Sequence, residues 1–345
     1  MRLTEIPEKY AGYPQEEGQH LCRVIGRERG LYRIADRDGE TAAELSGRLC
    51  HEATAALDYP AVGDYVLAER RSGTAVICRV LERSSLCLRR AAGTGRTEQV
   101  VAANVDTVFL CMSLNQNFNL RRLERYLSAA WESGSRPVVV LTKADLCAEP
   151  GALLEQARQT AAPAAVLTVS AREEGGWREL LPYLAPGQTV AFLGSSGVGK
   201  STLVNCLLGE ERLETGGIRT DDRGRHTTTR RELLPLPGGA AVIDTPGMRE
   251  LGMWDAGEGL RQTFADIELL AAGCRFSNCR HRSEPGCRVQ EAVRQGSLDP
   301  GRLAAYEKLA AENAYAEDAA GYAAAREKKF REIAKYNKSR RKGRE

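Results

Sequence analysis

Between residues 20 and 83, apolar positions alternate with polar ones or run together in five short segments. These are HLCRVIGRERG, LYRIADRD, ETAAELSG, GDYVLAER and TAVICRVLER, separated by glycine and Asp-Gly pairs. Period-two alternation broken by turn residues predicts strands, and five short strands predict a small barrel of the OB or SH3-like kind. A Gly-rich break, AAGTGRT, follows at 91–97 and reads as a linker or loop. From about residue 100 the period changes. VDTVFLCMSL, PVVVLTKADL, AAVLTVSA, TVAFL and AAVIDTPG are apolar runs, with helical patterns in LRRLERYLSAAWESG, PGALLEQARQTA and the stretch after TVAFL. Apolar strands alternating with helices predict a parallel sheet covered on both faces. After residue 255 the chain reads as helical and Cys-containing, with helices at 258–272 and 288–296. An Ala/Glu-rich helix follows at 303–320, interrupted at Gly321. The expected domains are a barrel at 1–92, an α/β domain at 93–257 and a small C-terminal domain at 258–345.

Composition adds limits to this pattern. A chain of 345 residues accommodates two or three domains and can bury a core without disulfides. No run approaches ~20 apolar residues, so a membrane span is not expected. The first twenty residues lack an apolar signal region, so a cytoplasmic protein is expected. The formal net charge of +3 hides an uneven distribution. Residues 1–90 carry 14 basic and 14 acidic groups, 91–272 carry 18 and 22, 273–325 carry 7 and 7, and the last twenty carry 10 and 3. The excess positive charge therefore sits in the terminal segment, which suits an RNA partner or a solubilising tail. Of ten cysteines, Cys22, Cys50, Cys78, Cys87, Cys111, Cys147 and Cys206 are scattered among apolar neighbours and read as buried thiols.

The chemistry begins with Gly194-Ser195-Ser196-Gly197-Val198-Gly199-Lys200-Ser201, followed by Thr202, placed between an apolar strand and a helix. This is the context that confirms a phosphate loop. Its backbone N–H groups wrap a phosphate, Lys200 reaches the β- and γ-phosphates, and Ser201 ligates Mg²⁺. Asp244-Thr245-Pro246-Gly247 ends a strand 43 residues after Ser201. Asp244 suits Mg²⁺, and the Gly247 N–H suits a γ-phosphate sensor. Between them lies Gly224-Arg225-His226-Thr227-Thr228-Thr229, where Thr228 or Thr229 supplies the Mg²⁺-binding hydroxyl of a switch loop.

Base specificity needs a carboxylate that accepts two hydrogen bonds from guanine. Thr142-Lys143-Ala144-Asp145 and Ser170-Ala171, each at a strand end, supply Asp145 for that role, the Lys143 stem against the base, and a short loop near guanine O6. These base elements precede the phosphate elements, the reverse of the usual order. The same sheet with its termini moved gives this order, so the domain reads as a circularly permuted GTPase domain. Cys274-x4-Cys279-x-His281-x5-Cys287 is a complete Cys₃His set, the pattern of one structural Zn²⁺.

Together TKAD, SA, GSSGVGKS, GRHTTT, DTPG and the Cys/His cluster, in that order, resemble the circularly permuted GTPases of the ribosome small subunit-dependent GTPase A (RsgA) family. The resemblance covers about residues 20–340. It implies an N-terminal OB-fold barrel, a permuted P-loop GTPase domain and a C-terminal helical zinc domain. It further implies GTP/GDP, Mg²⁺ and Zn²⁺ as cofactors, and GTP hydrolysis stimulated by the small ribosomal subunit and its rRNA during late maturation. A monomer with no membrane partner is expected. Thr142 departs from the family's usual Asn, whose amide bonds both base and phosphate loop. The loss of that hydrogen bond predicts weaker guanine binding, by about 1 kcal/mol or more.

Met248 stands where Ras-like enzymes place a water-orienting Gln, which predicts slow intrinsic hydrolysis. His226 is the candidate to position the attacking water, or else a residue that touches the partner. Lys200 and Gly247 complete the expected catalytic set. An alternative function is a nucleotide-sensing, RNA-binding scaffold with negligible turnover. A further alternative, raised by Thr142, is a less selective NTPase.

Overall fold

The computed structural model describes residues 6–28, 30–71, 73–90, 98–115, 117–213, 231–244 and 257–314. It divides into two compact units, Met1–Gly252 and Met253–Glu345.

The first unit opens with a single turn, α1 (Glu8–Ala11), and then five strands: β1 (Gln19–Glu28), β2 (Leu31–Ala35), β3 (Glu40–Leu45), β4 (Tyr65–Arg71) and β5 (Thr74–Val80). A short helix, α2 (Gly47–Glu52), lies between β3 and β4, its first turn capped by the Ser46 hydroxyl. The strands pair in the order β1-β2-β3-β5-β4, and β4 returns to β1, with β3 and β5 parallel. That closed five-stranded arrangement is OB-like, as expected. Its interior holds Cys22, Val24, Tyr32, Ile34, Ala43, Val66 and Ile77.

The sequence stretch read as a linker has a different surrounding. Its flanks form a two-stranded antiparallel hairpin, β6 (Leu86–Arg90) and β7 (Glu98–Ala103). Residues 91–97 themselves lie outside the described residues.

The α/β part follows as β8 (Thr107–Ser113), α3 (Leu120–Glu132), β9 (Arg136–Thr142), α4 (Pro150–Ala161), β10 (Ala165–Thr168), β11 (Thr189–Leu193), α5 (Lys200–Leu208), β12 (Arg231–Pro235) and β13 (Ala241–Asp244). The strand order is β10-β9-β8-β11-β13-β12. All neighbours are parallel except β12, which pairs antiparallel with β13. Every residue of β8 and β11 is buried, which explains their unbroken apolar runs: a strand covered on both faces has no polar side to alternate with. One core layer gathers Leu110, Leu123, Leu127, Val139, Leu141 and Leu193. The opposite layer gathers Phe109, Val140, Val190, Phe192, Leu203 and Val242.

Barrel and α/β sheet are continuous. β1 pairs with β12 through Gly26–Glu232 and Arg27–Arg231. Arg33 of β2 forms an ion pair with Glu232. Arg23, 3 % exposed, donates from Nη2 to Thr189 Oγ1 at 2.6 Å, at the start of β11. A buried guanidinium is costly unless its donors are satisfied, and Gly63 O also accepts from Arg23 Nε, at 3.3 Å.

In the second unit, α6 (Gly257–Thr263) and α7 (Ala265–Ala272) replace the single helix expected at 258–272. The break falls at Phe264, which is fully buried with Leu260 and Ile267 in this unit's core. It frees the Thr263 carbonyl, which accepts from Arg302 Nη2 at 2.9 Å, while the same guanidinium forks onto Asp266. Helix α8 (Arg288–Arg294) and helical residues 300–314 complete the unit. The expected interruption at Gly321 and the basic tail lie outside the described residues. Among the described residues no helix is long and apolar enough to cross a membrane.

Candidate functional site

The parallel strands end together, and those predicted nucleotide-site residues that are described sit at or just beyond their carboxyl ends, where open α/β sheets bind ligands. Gly194 follows β11. In this position a Cβ would come within 2.5 Å of Cys111 O on β8, so only glycine lets the loop leave the sheet here. Gly199, at φ +99°, caps the start of α5 in a left-handed conformation that other residues adopt only with strain. Between them, Ser196 and Gly197 are exposed, Ser195 is half-buried and Val198 is buried. Lys200 reaches back over the loop: its Nζ donates to Gly194 O and to Ser195 O, both at 2.7 Å. Ser201 and Thr202 occupy the first turn of α5, half-buried. Asp244 lies one residue past the Ala191–Ile243 pair of the adjacent strand, at the same sheet edge as the loop.

The base-loop residues converge on this loop from an earlier part of the chain. Thr142, at the end of β9, is 3 % exposed, and its hydroxyl donates to Val198 O at 2.6 Å. The tie to the phosphate loop that the missing Asn would have made is therefore present, supplied by a hydroxyl. What Thr142 lacks is only the amide that would face the base. Lys143 has φ +58° and begins a tight turn over Ala144–Leu146, which leaves Asp145 exposed. The buried Ser170 donates from Oγ to Asp145 Oδ1 at 2.8 Å, and Ala144 N donates to Val169 O at 3.3 Å. Ala171 is half-buried beside Ser170, and its carbonyl accepts a weak contact from Cys206 Sγ of α5 at 3.8 Å.

One contributor escaped the sequence reading. The β8–α3 loop carries asparagines at alternate positions. The Asn115 side chain accepts from Ser113 Oγ and Asn117 N, Asn117 Nδ2 donates to Ser195 Oγ at 2.8 Å, and Asn119 caps α3. The available signal was three short amides directly after a buried strand, at the sheet edge where the site forms. Residues 214–230 and 245–256 are outside the described residues, so His226, Thr228, Thr229, Gly247 and Met248 have no structural placement.

Of the seven scattered cysteines, Cys22, Cys87 and Cys111 are buried, Cys78, Cys147 and Cys206 are half-buried, and Cys50 is exposed. The expectation of seven buried thiols therefore holds for three. Burial pushes the Cys111 thiol up to about 12, so it is inert beneath the phosphate loop.

In the second unit, ligand atoms of Cys274, Cys279, His281 and Cys287 all lie within 4.8 Å of one another. His281 Nδ1 is 3.7 Å from Cys274 Sγ and 3.5 Å from Cys287 Sγ, and those two sulfurs are 3.9 Å apart. A tetrahedral ion with Zn–S of about 2.3 Å and Zn–N of about 2.0 Å requires S···S of about 3.8 Å and S···N of about 3.5 Å. The donor set fits zinc, with Nδ1 as the imidazole ligand. The surrounding loop is fixed by Glu284, whose carboxylate accepts from the N–H groups of Arg280, Arg282 and Ser283. Those bonds hold its carboxyl at about 2. Gln290 Nε2 donates to His281 O at 2.5 Å, tying the ligand loop to α8.

Comparison with known proteins places this geometry. Residues 80–254 match the family model described as RsgA GTPase. A protein named small ribosomal subunit biogenesis GTPase RsgA 2, from Lactiplantibacillus plantarum, is 50% identical over 307 residues, covering 88% of this chain and 86% of that protein. The crystal structure of YjeQ from Thermotoga maritima superposes with a TM-score of 0.64 at 27% identity, over 85% of this chain and 98% of that one. YloQ, described as a circularly permuted GTPase, shares the fold with a TM-score of 0.61 at 24% identity, over 89% of this chain and 98% of that one. With base-loop strands that precede the phosphate loop in the chain yet close over it in space, this chain belongs to the RsgA GTPase family.

Proposed function

We propose that this protein is a GTP hydrolase that binds the small ribosomal subunit and couples hydrolysis to late maturation of that subunit and to its own release. One observation carries the reading. Thr142, from the base loop, bonds Val198, from the phosphate loop, across 56 residues of chain, so the two halves of a guanine-nucleotide pocket meet although their order is reversed. The names of relatives support the ribosomal part, and the charge of the last twenty residues suits an rRNA partner.

In this reading Gly194–Thr202 cradle the phosphates and Lys200 neutralises them. Ser201, Asp244 and Thr228 or Thr229 would hold Mg²⁺, which neutralises charge developing on the phosphoryl group. Gly247 senses the γ-phosphate, and His226 positions water. Asp145, oriented by Ser170, accepts from guanine, with Lys143, Ala144 and Ala171 lining the base. Cys274, Cys279, His281 and Cys287 would hold one structural Zn²⁺. The protein works as a monomer in the cytoplasm. With Met248 in place of a water-orienting Gln, turnover is slow until the subunit completes the site.

Asp145→Asn tests the guanine pocket. A carboxylate accepts two hydrogen bonds from guanine, whereas an amide offers one acceptor and one donor set, which suits xanthine. GTP affinity should fall roughly 10- to 100-fold, as expected for losing a charged hydrogen bond, and xanthosine triphosphate should become the better competitor. An unchanged preference for GTP in a competition assay would remove Asp145 from the pocket.

A further inference from the structure

We propose that Asn117 is a positioning residue for nucleotide binding, holding the phosphate loop against the start of α3 through Ser195. The direction of each hydrogen bond is fixed by chemistry. Arg122 donates from Nη1 to Asn117 Oδ1 at 2.7 Å. A guanidinium has donors only, so the amide oxygen must face Arg122 and the amide NH₂ must face away from it. That NH₂ donates to Ser195 Oγ at 2.8 Å, across 78 residues of chain. Asn117 is itself pinned. Its N–H donates to Asn115 Oδ1 at 3.0 Å, and its carbonyl accepts from Arg122 Nη2 at 3.5 Å. Besides this bond to its hydroxyl, Ser195 is held through its carbonyl, which accepts from Lys200 Nζ at 2.7 Å; the residue is half-buried and the next two are exposed.

Besides the Lys200 contacts within the loop, the phosphate loop thus has a tie to a neighbouring loop on each side of its arch. Thr142 holds Val198 from the base loop, and Asn117 holds Ser195 from the β8–α3 loop. A loop that must present its N–H groups to phosphate binds more tightly when it is held in place beforehand. Because GTP, GDP and the transition state all use the same cradle, the latch contributes uniform binding. Its loss should raise KM and leave kcat nearly unchanged.

This inference rests on the phosphate-loop reading above, and a double-mutant cycle on the full chain tests it. Asn117→Ala, Ser195→Ala and the double variant are compared for steady-state GTP turnover, for release of a fluorescent GDP, and for melting temperature. Each single variant should raise KM and speed GDP release by roughly five- to tenfold, the loss of one hydrogen bond. In Asn117→Ala, which lies outside the phosphate cradle, kcat should stay within about twofold and the melting temperature should hold. The double variant should match the single ones, because both remove the same bond. Additive effects, or a lowered melting temperature with unchanged KM, would overturn the latch. A wild-type protein that neither binds nor hydrolyses GTP would overturn both the latch and the reading beneath it.

Discussion

Replacing Lys200 with alanine is expected to lower GTP turnover at least 100-fold while leaving the fold intact. The ammonium sits over the phosphate loop, 2.7 Å from Gly194 O and from Ser195 O. In the proposed reading, those carbonyls hold it where the β- and γ-phosphates of a bound nucleotide would come. A fixed positive charge at the site where phosphoryl charge develops is worth several kcal/mol in such reactions. Removing it costs the protein little in stability, because Lys200 and Ser195, one of its two carbonyl partners, are only half-buried. Phosphate release and thermal melting measured together check this. Turnover within a few-fold of wild type would mean that the loop does not carry the reaction.

The second large effect is on the C-terminal unit. In the proposed reading the Cys₃His set holds one Zn²⁺, so removing it with a chelator, or replacing Cys287 with alanine, is expected to unfold residues 257–314 and leave the first unit folded. Cys287 acts twice: its sulfur belongs to the Cys₃His set, and it caps α8 by accepting from Gln290 N at 3.4 Å. The unit's core is small, built around Leu260, Phe264, Ile267, Val289 and Leu303. The binding free energy of a structural zinc, on the order of 10 kcal/mol or more, is folding free energy for such a unit. Calorimetry should show two transitions, the lower of which disappears together with one equivalent of zinc, while intrinsic GTP turnover persists. A metal-free protein with both transitions intact would show that the four ligands hold nothing structural.

The sequence disclosed those parts of the molecule whose cause is local. Strands β8 and β11 could be read as apolar runs because both faces are covered, and the phosphate loop could be read because its glycines answer to fixed geometric demands such as the 2.5 Å approach to Cys111. The Cys₃His set needed only spacing. Parts whose cause lies far along the chain stayed hidden. The β6–β7 hairpin was masked by its Gly-rich centre, and the break at Phe264 depends on Arg302, which takes the freed carbonyl from 39 residues away. Residue type at position 142 shows that the amide is missing but not that a hydroxyl stands 2.6 Å from Val198 O. Asn117 escaped for the same reason, since its partner is 78 residues away. The continuity of the barrel with the α/β sheet through β1 and β12 likewise has no local signature.

That continuity, and the meeting of base loop with phosphate loop, define the central claim: a permuted nucleotide site whose hydrolysis is completed by the small ribosomal subunit. The most direct measurement is phosphate release from GTP by the full chain alone, with isolated small subunits, and with isolated large subunits. Release should be slow alone and with large subunits, and should rise at least roughly tenfold with small subunits, as partners activate GTPases. Equal, negligible release in all three would contradict it and leave a nucleotide-sensing RNA-binding scaffold in its place.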